Sequence, residues 1–101
     1  MSITEITLDN FDDEVISCEE TVLLDFWSGW CSPCRIVGLI LDEIAAERHD
    51  VKIGKVNVDE QPELAMQFRV MSIPTLVVMK NGKVVNHVVG ARPKSEILAL
   101  L

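Results

Sequence analysis

The segment Thr21-Val22-Leu23-Leu24-Asp25-Phe26-Trp27 narrows the fold more than any other part of this chain. A strand with one wet face alternates apolar and polar residues, whereas Val22-Leu23-Leu24 does not alternate, the pattern of a strand buried on both faces. Such a strand belongs at the centre of a sheet with a layer of structure on each side. Strand-like and helix-like segments alternate along the rest of the chain, with no repeat, low-complexity run or linker. An α/β fold built on a mixed or parallel sheet covered by helices is expected.

Residues 3–8 read as a first strand, and Asp9 or Asn10 can cap a short helix ending near Ser17. After the central strand, Ile36, Val37, Ile40, Leu41 and Ile44 recur at helical spacing with Asp42, Glu43 and Glu47 on the other side. Gly38 lies inside this helix at a cost of about 1 kcal/mol relative to alanine, which predicts a bend or a close approach there. Residues 51–58 read as a third strand and 62–68 as a short helix. Two β-rich runs, Thr75–Lys80 and Lys83–Val89, flank Asn81-Gly82, a strong hairpin signal, and must pair antiparallel. Pro93 suits the first turn of a last helix with Ile97, Leu98 and Leu101 on its apolar face. The predicted order is β-α-β-α-β-α-β-β-α.

A chain of 101 residues is expected to be one domain over 1–101, able to bury an ordinary apolar core without metal or structural disulfides. Its formal charge is −7, and its 9 basic residues are scattered, so no cationic footprint for nucleic acid is present. No apolar stretch approaches the roughly 20 residues of a membrane-spanning helix, and no membrane association is expected. Met1-Ser2-Ile3-Thr4-Glu5 lacks a basic segment followed by an apolar one, so no export signal is expected. Three cysteines, an odd count, fit a reducing compartment and a cytoplasmic protein. A monomer is expected.

Trp30-Cys31-Ser32-Pro33-Cys34 falls where the central strand ends and the long helix begins. The thiolate is the reactive form of cysteine, and unpaired N–H groups and the helix dipole favour it at a helix N-terminus, so a lowered pKa is expected for Cys31. Cys34 follows one helical turn later, within disulfide reach. Pro33 suits the first turn because it has no N–H to leave unpaired. These features point to thiol–disulfide exchange, with Cys31 the nucleophile and Cys34 the resolving thiol. Asp25 interrupts an apolar strand, where burial would raise its pKa towards the working pH and suit it to exchange a proton with Cys34. Lys55 on the next strand is a candidate partner for Asp25, with an outward-facing lysine the equal alternative.

Asp25-Phe26-Trp27, Trp30-Cys31-Ser32-Pro33-Cys34, Ile73-Pro74-Thr75 and Lys80-Asn81-Gly82 together resemble the thioredoxin family in order and spacing over essentially the whole chain. The resemblance implies a thioredoxin-like fold with a central five-stranded mixed sheet flanked by four helices. It also implies a cis peptide before Pro74 beside the cysteines, and backbone pairing of substrate with Ile73. The implied substrate-docking surface is Trp30, Ser32, Pro33, Val58, Ile73, Pro74, Val89 and Gly90. No bound cofactor is implied beyond the redox-active disulfide Cys31–Cys34, and the implied partners are a flavin-containing thioredoxin reductase and diverse disulfide-containing proteins. Two residues depart from the family pattern: Ser32 stands where glycine is usual, and Leu39, beside Gly38, where a kinking proline is common.

Other readings compete. Half a zinc site would need a second pair of ligands, and Cys18, His49 and His87 supply no closely spaced pair. A purely structural disulfide would close a loop too short to constrain the unfolded chain much. Trp27 is expected in the core and Trp30 at the surface; Cys18 reads as a small half-buried side chain, and His49 and His87 as solvated residues. Asp12-Asp13-Glu14 with Glu19-Glu20 reads as a solvated face. A docking module with incidental cysteines and a disulfide donor in an oxidising compartment are the alternative functions. Asp25 argues against the first, since a docking surface has no use for a buried carboxylate.

Overall fold

The computed structural model describes residues 3–101; Met1 and Ser2, within the stretch read for an export signal, lie outside the described residues. Its elements are β1 (Ile3–Glu5), a π-helical turn (Asp12–Ile16), β2 (Thr21–Trp27), α1 (Ser32–Glu47), β3 (Val51–Asn57), α2 (Pro62–Gln67), β4 (Thr75–Lys80), β5 (Lys83–Val89) and α3 (Lys94–Leu100). Among the described residues the strands form one sheet in the order β1-β3-β2-β4-β5. The β1, β3 and β2 strands run parallel, while β4 and β5 pair antiparallel. This is the α/β architecture expected, a five-stranded mixed sheet with helices on both faces.

The non-alternating run lies in the middle of that sheet. From Val22 to Phe26 every residue of β2 is at most 1% exposed. Successive side chains of a strand point to opposite faces. Leu23 accordingly joins Val37, Leu41 and Ile44 of α1 and Ile97 of α3 in one cluster, while Val22, Leu24 and Phe26 join Val15, Val56 and Leu64 in another. Lys94 ties α3 to α1 through Glu43 at 3.2 Å and Glu47 at 2.5 Å.

Several boundaries differ from expectation. The first strand stops at Glu5, because the Thr7 N–H donates to Asn10 Oδ1 (2.8 Å) and the Asn10 N–H to Thr7 Oγ1 (3.3 Å), folding the chain into a turn. Asn10 Nδ2 donates to the Glu5 carbonyl at 2.8 Å, so this side chain closes the strand end rather than capping the following helix. That helix is a single π-type turn in which the Ser17 N–H donates to the Asp12 carbonyl (2.9 Å). Pro93 precedes the first turn of α3 as its cap, its carbonyl accepting from Glu96 N (3.0 Å) and Ile97 N (3.2 Å).

Gly54 on β3 has no room for a side chain. A Cβ added there would stand 2.7 Å from Ile6 Cγ1 and 2.9 Å from Leu24 Cδ2. Gly54→Ala is expected to destabilise the protein by about 1–3 kcal/mol, the usual cost of overpacking a close-packed interior. Urea denaturation should show a lower midpoint at an unchanged slope.

Candidate redox site

The long helix begins where β2 delivers the chain to the edge of the sheet. Cys31 is the N-cap residue of α1, in extended conformation (φ −98°, ψ 107°), and its sulfur accepts the Cys34 N–H at 3.2 Å. Sulfur thus occupies the place usually taken by a serine or aspartate oxygen. A free backbone donor and the positive end of the helix dipole both favour negative charge on it. Cys34 lies one turn along with its Cα 5.3 Å from that of Cys31, and the two sulfurs are joined as a disulfide. Both cysteines are largely buried, and they line different cavities, Cys31 one and Cys34 another.

A cavity of about 490 Å³ opens beside Cys31. Trp30, Ser32, Pro33, Val58 and Ile73 of the expected docking set line it, together with Ala65, Val70, Met71 and Ser72. Pro74 follows a cis peptide bond from Ile73 and is buried. The Gly90 N–H donates to the Pro74 carbonyl at 2.7 Å. Val89 opens instead on a neighbouring groove. Sequence reasoning missed the four extra lining residues; Met71 and Ser72 had a signal, since they directly precede Ile73.

Trp30 is 72% exposed but held. Its Nε1–H donates to Asp59 Oδ2 at 3.1 Å, and the Ser28 hydroxyl, 1% exposed as a residue, donates to the same oxygen at 2.6 Å. Neither Ser28 nor Asp59 carries a local sequence signal, because the contact joins positions about thirty residues apart.

Asp25 is fully buried, and among the described residues neither carboxylate oxygen has a hydrogen-bond partner. Burial pushes its pKa from 3.8 up to about 7, against the opposing pull of the Lys55 charge. The connection α1 joins the parallel strands β2 and β3, so it runs back along the sheet. Asp25 shares with Leu23 the face of β2 that α1 covers and lies nearer the strand end from which the chain runs into α1. Lys55 is the register partner of Asp25 on β3. Its ammonium nevertheless forms no ion pair within 4.0 Å among the described residues. It lies 4.9 Å from the Trp27 ring centroid, beside Gly38, where a Cβ would stand 3.5 Å from Nζ. A side chain at Gly38 would make only an ordinary van der Waals contact there, so the close approach expected at this glycine is not found. Both Lys55 and Cys34 line a cavity of about 450 Å³ on this side of α1.

Comparison with known proteins matches residues 2–101 to the family described as Thioredoxin. The chain belongs to the thioredoxin family. Its relatives include the thioredoxin of Listeria monocytogenes serovar 1/2a, 49% identical over 96 residues covering 94% of this chain and 91% of the relative. The thioredoxin of Pyropia yezoensis is 43% identical over 102 aligned positions, covering all of this chain and 95% of its own. That of Mycobacterium tuberculosis (strain ATCC 25618 / H37Rv) is 44% identical over 95 residues, covering 93% and 82%. With the cysteines paired at the head of α1, the chain is a protein dithiol–disulfide oxidoreductase of this family. Among the described residues no group of three or more His, Cys, Asp or Glu is placed to hold a metal ion, and no helix is long and apolar enough to cross a membrane.

Because the folded protein binds the Asp25 proton more tightly than the unfolded chain, stability falls as pH rises from about 4 to about 7. At about 1.4 kcal/mol per pH unit, the full penalty above that window is about 4 kcal/mol. Asp25→Asn is therefore expected to stabilise the protein by up to about this amount at pH 8 and hardly at all at pH 4. Denaturant titrations at the two pH values should show the gain vanishing on acidification.

Proposed function

We propose that this protein reduces disulfide bonds in other proteins, with Cys31 as nucleophile, Cys34 as resolving thiol and Asp25 as the group that exchanges the Cys34 proton. The observation that carries the reading is the Cys31 sulfur at the N-cap of α1, paired with Cys34 and facing an apolar cavity.

In the reduced protein the Cys31 thiolate attacks one sulfur of a substrate disulfide. A Cys31–substrate bond forms as the substrate S–S bond breaks, and the first substrate thiolate leaves. Cys34 then gives its proton to the Asp25 carboxylate, and its thiolate attacks the Cys31 sulfur. The mixed disulfide breaks, the second substrate thiolate leaves, and Cys31–Cys34 closes. Two electrons have passed from the dithiol to the substrate, and the proton on Asp25 returns to solvent or to a product thiolate. The Lys55 charge counters the burial of Asp25, limiting how far its pKa rises and thereby keeping it able to give the proton up.

Substrate binds across Trp30, Ser32, Pro33, Val58, Ile73 and Pro74, with Val89 and Gly90 at the margin, and the Ile73 backbone pairs with the substrate chain. The apolar cavity suits extended segments of many proteins. Electrons return to Cys31–Cys34 from a thioredoxin reductase, and the cysteine pair itself serves as redox carrier without a resident cofactor. The protein acts as a cytoplasmic monomer, one domain over residues 1–101.

Two measurements test these roles. In insulin reduction by dithiothreitol, the protein should accelerate turnover; Cys31→Ser should abolish the acceleration and Cys34→Ser should accumulate a mixed disulfide. Acceleration surviving Cys31→Ser would overturn the nucleophile assignment. In stopped-flow release of a preformed Cys31–peptide disulfide, the rate should rise with pH through about 7 as Asp25 becomes a carboxylate. Asp25→Asn should slow release at neutral pH by roughly a hundredfold, within the range for general base catalysis, and remove that inflection.

A further inference from the structure

A second groove, of about 440 Å³, lies between α2 and β5 and meets the active-site cavity at Met71 and Ser72, which line both. The sheet face at its floor, with Val77 of β4 and Val84 of β5, is apolar. The two hollows differ in charge: no ionisable side chain other than Cys31 lines the first, whereas Arg69 and His87 line the second.

Arg69 is unusual in its backbone conformation. It sits at φ +54°, the left-handed region, immediately after α2. The Arg69 N–H donates to the Met66 carbonyl (3.0 Å) and the Val70 N–H to the Ala65 carbonyl (2.9 Å), a helix ending whose left-handed residue is usually glycine. A side chain is therefore retained where the backbone favours having none. Arg69 is also exposed and, among the described residues, forms no ion pair, although the chain carries 16 acidic residues. Arg48, Lys52, Arg92 and Lys94 are each paired with a carboxylate, whereas Arg35, Lys55, Lys80 and Lys83, like Arg69, form no ion pair among the described residues; of these five only Arg69 lines the groove.

We infer that this groove is a docking subsite for the substrate segment flanking the disulfide under attack, and that Arg69 selects segments bearing acidic side chains there. The inference rests on Cys31 being the attacking sulfur, because a chain held at Cys31 and passing over Met71 enters the groove directly. The guanidinium supplies a forked donor matched to a carboxylate, His87 supplies a further polar group, and the apolar floor takes the intervening side chains. Arg69 is thus a specificity-determining residue that leaves the reacting sulfurs untouched.

The test uses disulfide-linked extended peptides identical except for a pair of residues on either flank of the cystine: Glu-Glu, Gln-Gln or Lys-Lys. Affinities of the same peptides with serine in place of cysteine are measured by NMR titration, and reduction rates in parallel. Binding is expected in the order Glu, Gln, Lys for one flank, with about a threefold step between the first two, the scale of an exposed ion pair. Arg69→Gly should bring the Glu-Glu peptide down to the Gln-Gln affinity without lowering the thermal midpoint, Arg69→Glu should invert the order, and Arg69→Lys should restore it in part. Equal affinities for the three peptides, or an order that survives Arg69→Gly, would overturn the inference. Charge-ordered binding with no reduction of any peptide would support the subsite and refute the reductase reading alone.

Discussion

β2 is covered on both faces and hydrogen-bonded along both edges, and the rest of the molecule is arranged around meeting that condition. Its backbone groups are satisfied by β3 on one side and β4 on the other. Its side chains require α1 and α3 against one face and α2 with the π-helical turn against the other. The parallel pairing of β2 with β3 in turn demands a crossover, and α1 is that crossover. Its N-terminus must therefore lie at the end of β2, so the cysteines stand at the rim of the most deeply buried strand. The chemistry is located by the same requirement that builds the core.

A strand so placed should contain no carboxylate, yet Asp25 is there with both oxygens unpartnered. Its surroundings divide the problem. Burial favours the protonated form, and Lys55, in register on β3 but drawn towards the Trp27 ring, supplies positive charge without closing an ion pair. A tight pair would hold the carboxylate permanently ionised, and an entirely apolar site would hold it permanently protonated. The observed arrangement lies between the two, so both protonation states remain accessible near neutrality.

Most of this was legible in the sequence because its signals are local or periodic. The non-alternating run of β2, the 3.6-residue spacing in α1, the Asn81-Gly82 hairpin and the placement of Cys31 at a strand-to-helix junction each carry their own physical meaning. What was not legible depended on contacts between distant positions. The early end of β1 follows from Asn10 turning back to Thr7 and Glu5, where aspartate or asparagine before an acidic run reads equally well as a helix cap. Lys55 could be read as a neighbour of Asp25 or as an outward-facing lysine, and neither its register nor the deflection of its ammonium towards Trp27 was legible, since alternation assigns a face and not a partner or a rotamer. The lining by Ala65 and Val70 depends on how α2 lies on the sheet, which no segment of the chain declares.

The contact between Asp59 and Trp30 has a consequence for recognition. An exposed indole would ordinarily sample several rotamers, and a partner that trapped one of them would forfeit that freedom as binding energy. With its N–H committed to Asp59, and that carboxylate braced by the Ser28 hydroxyl, the ring already presents one face to arriving chains. The immobilisation loss, about 0.5–1.5 kcal/mol for a mobile side chain at an interface, has been met during folding. A ring ordered in this way before contact leaves any adaptation to the chain that meets it.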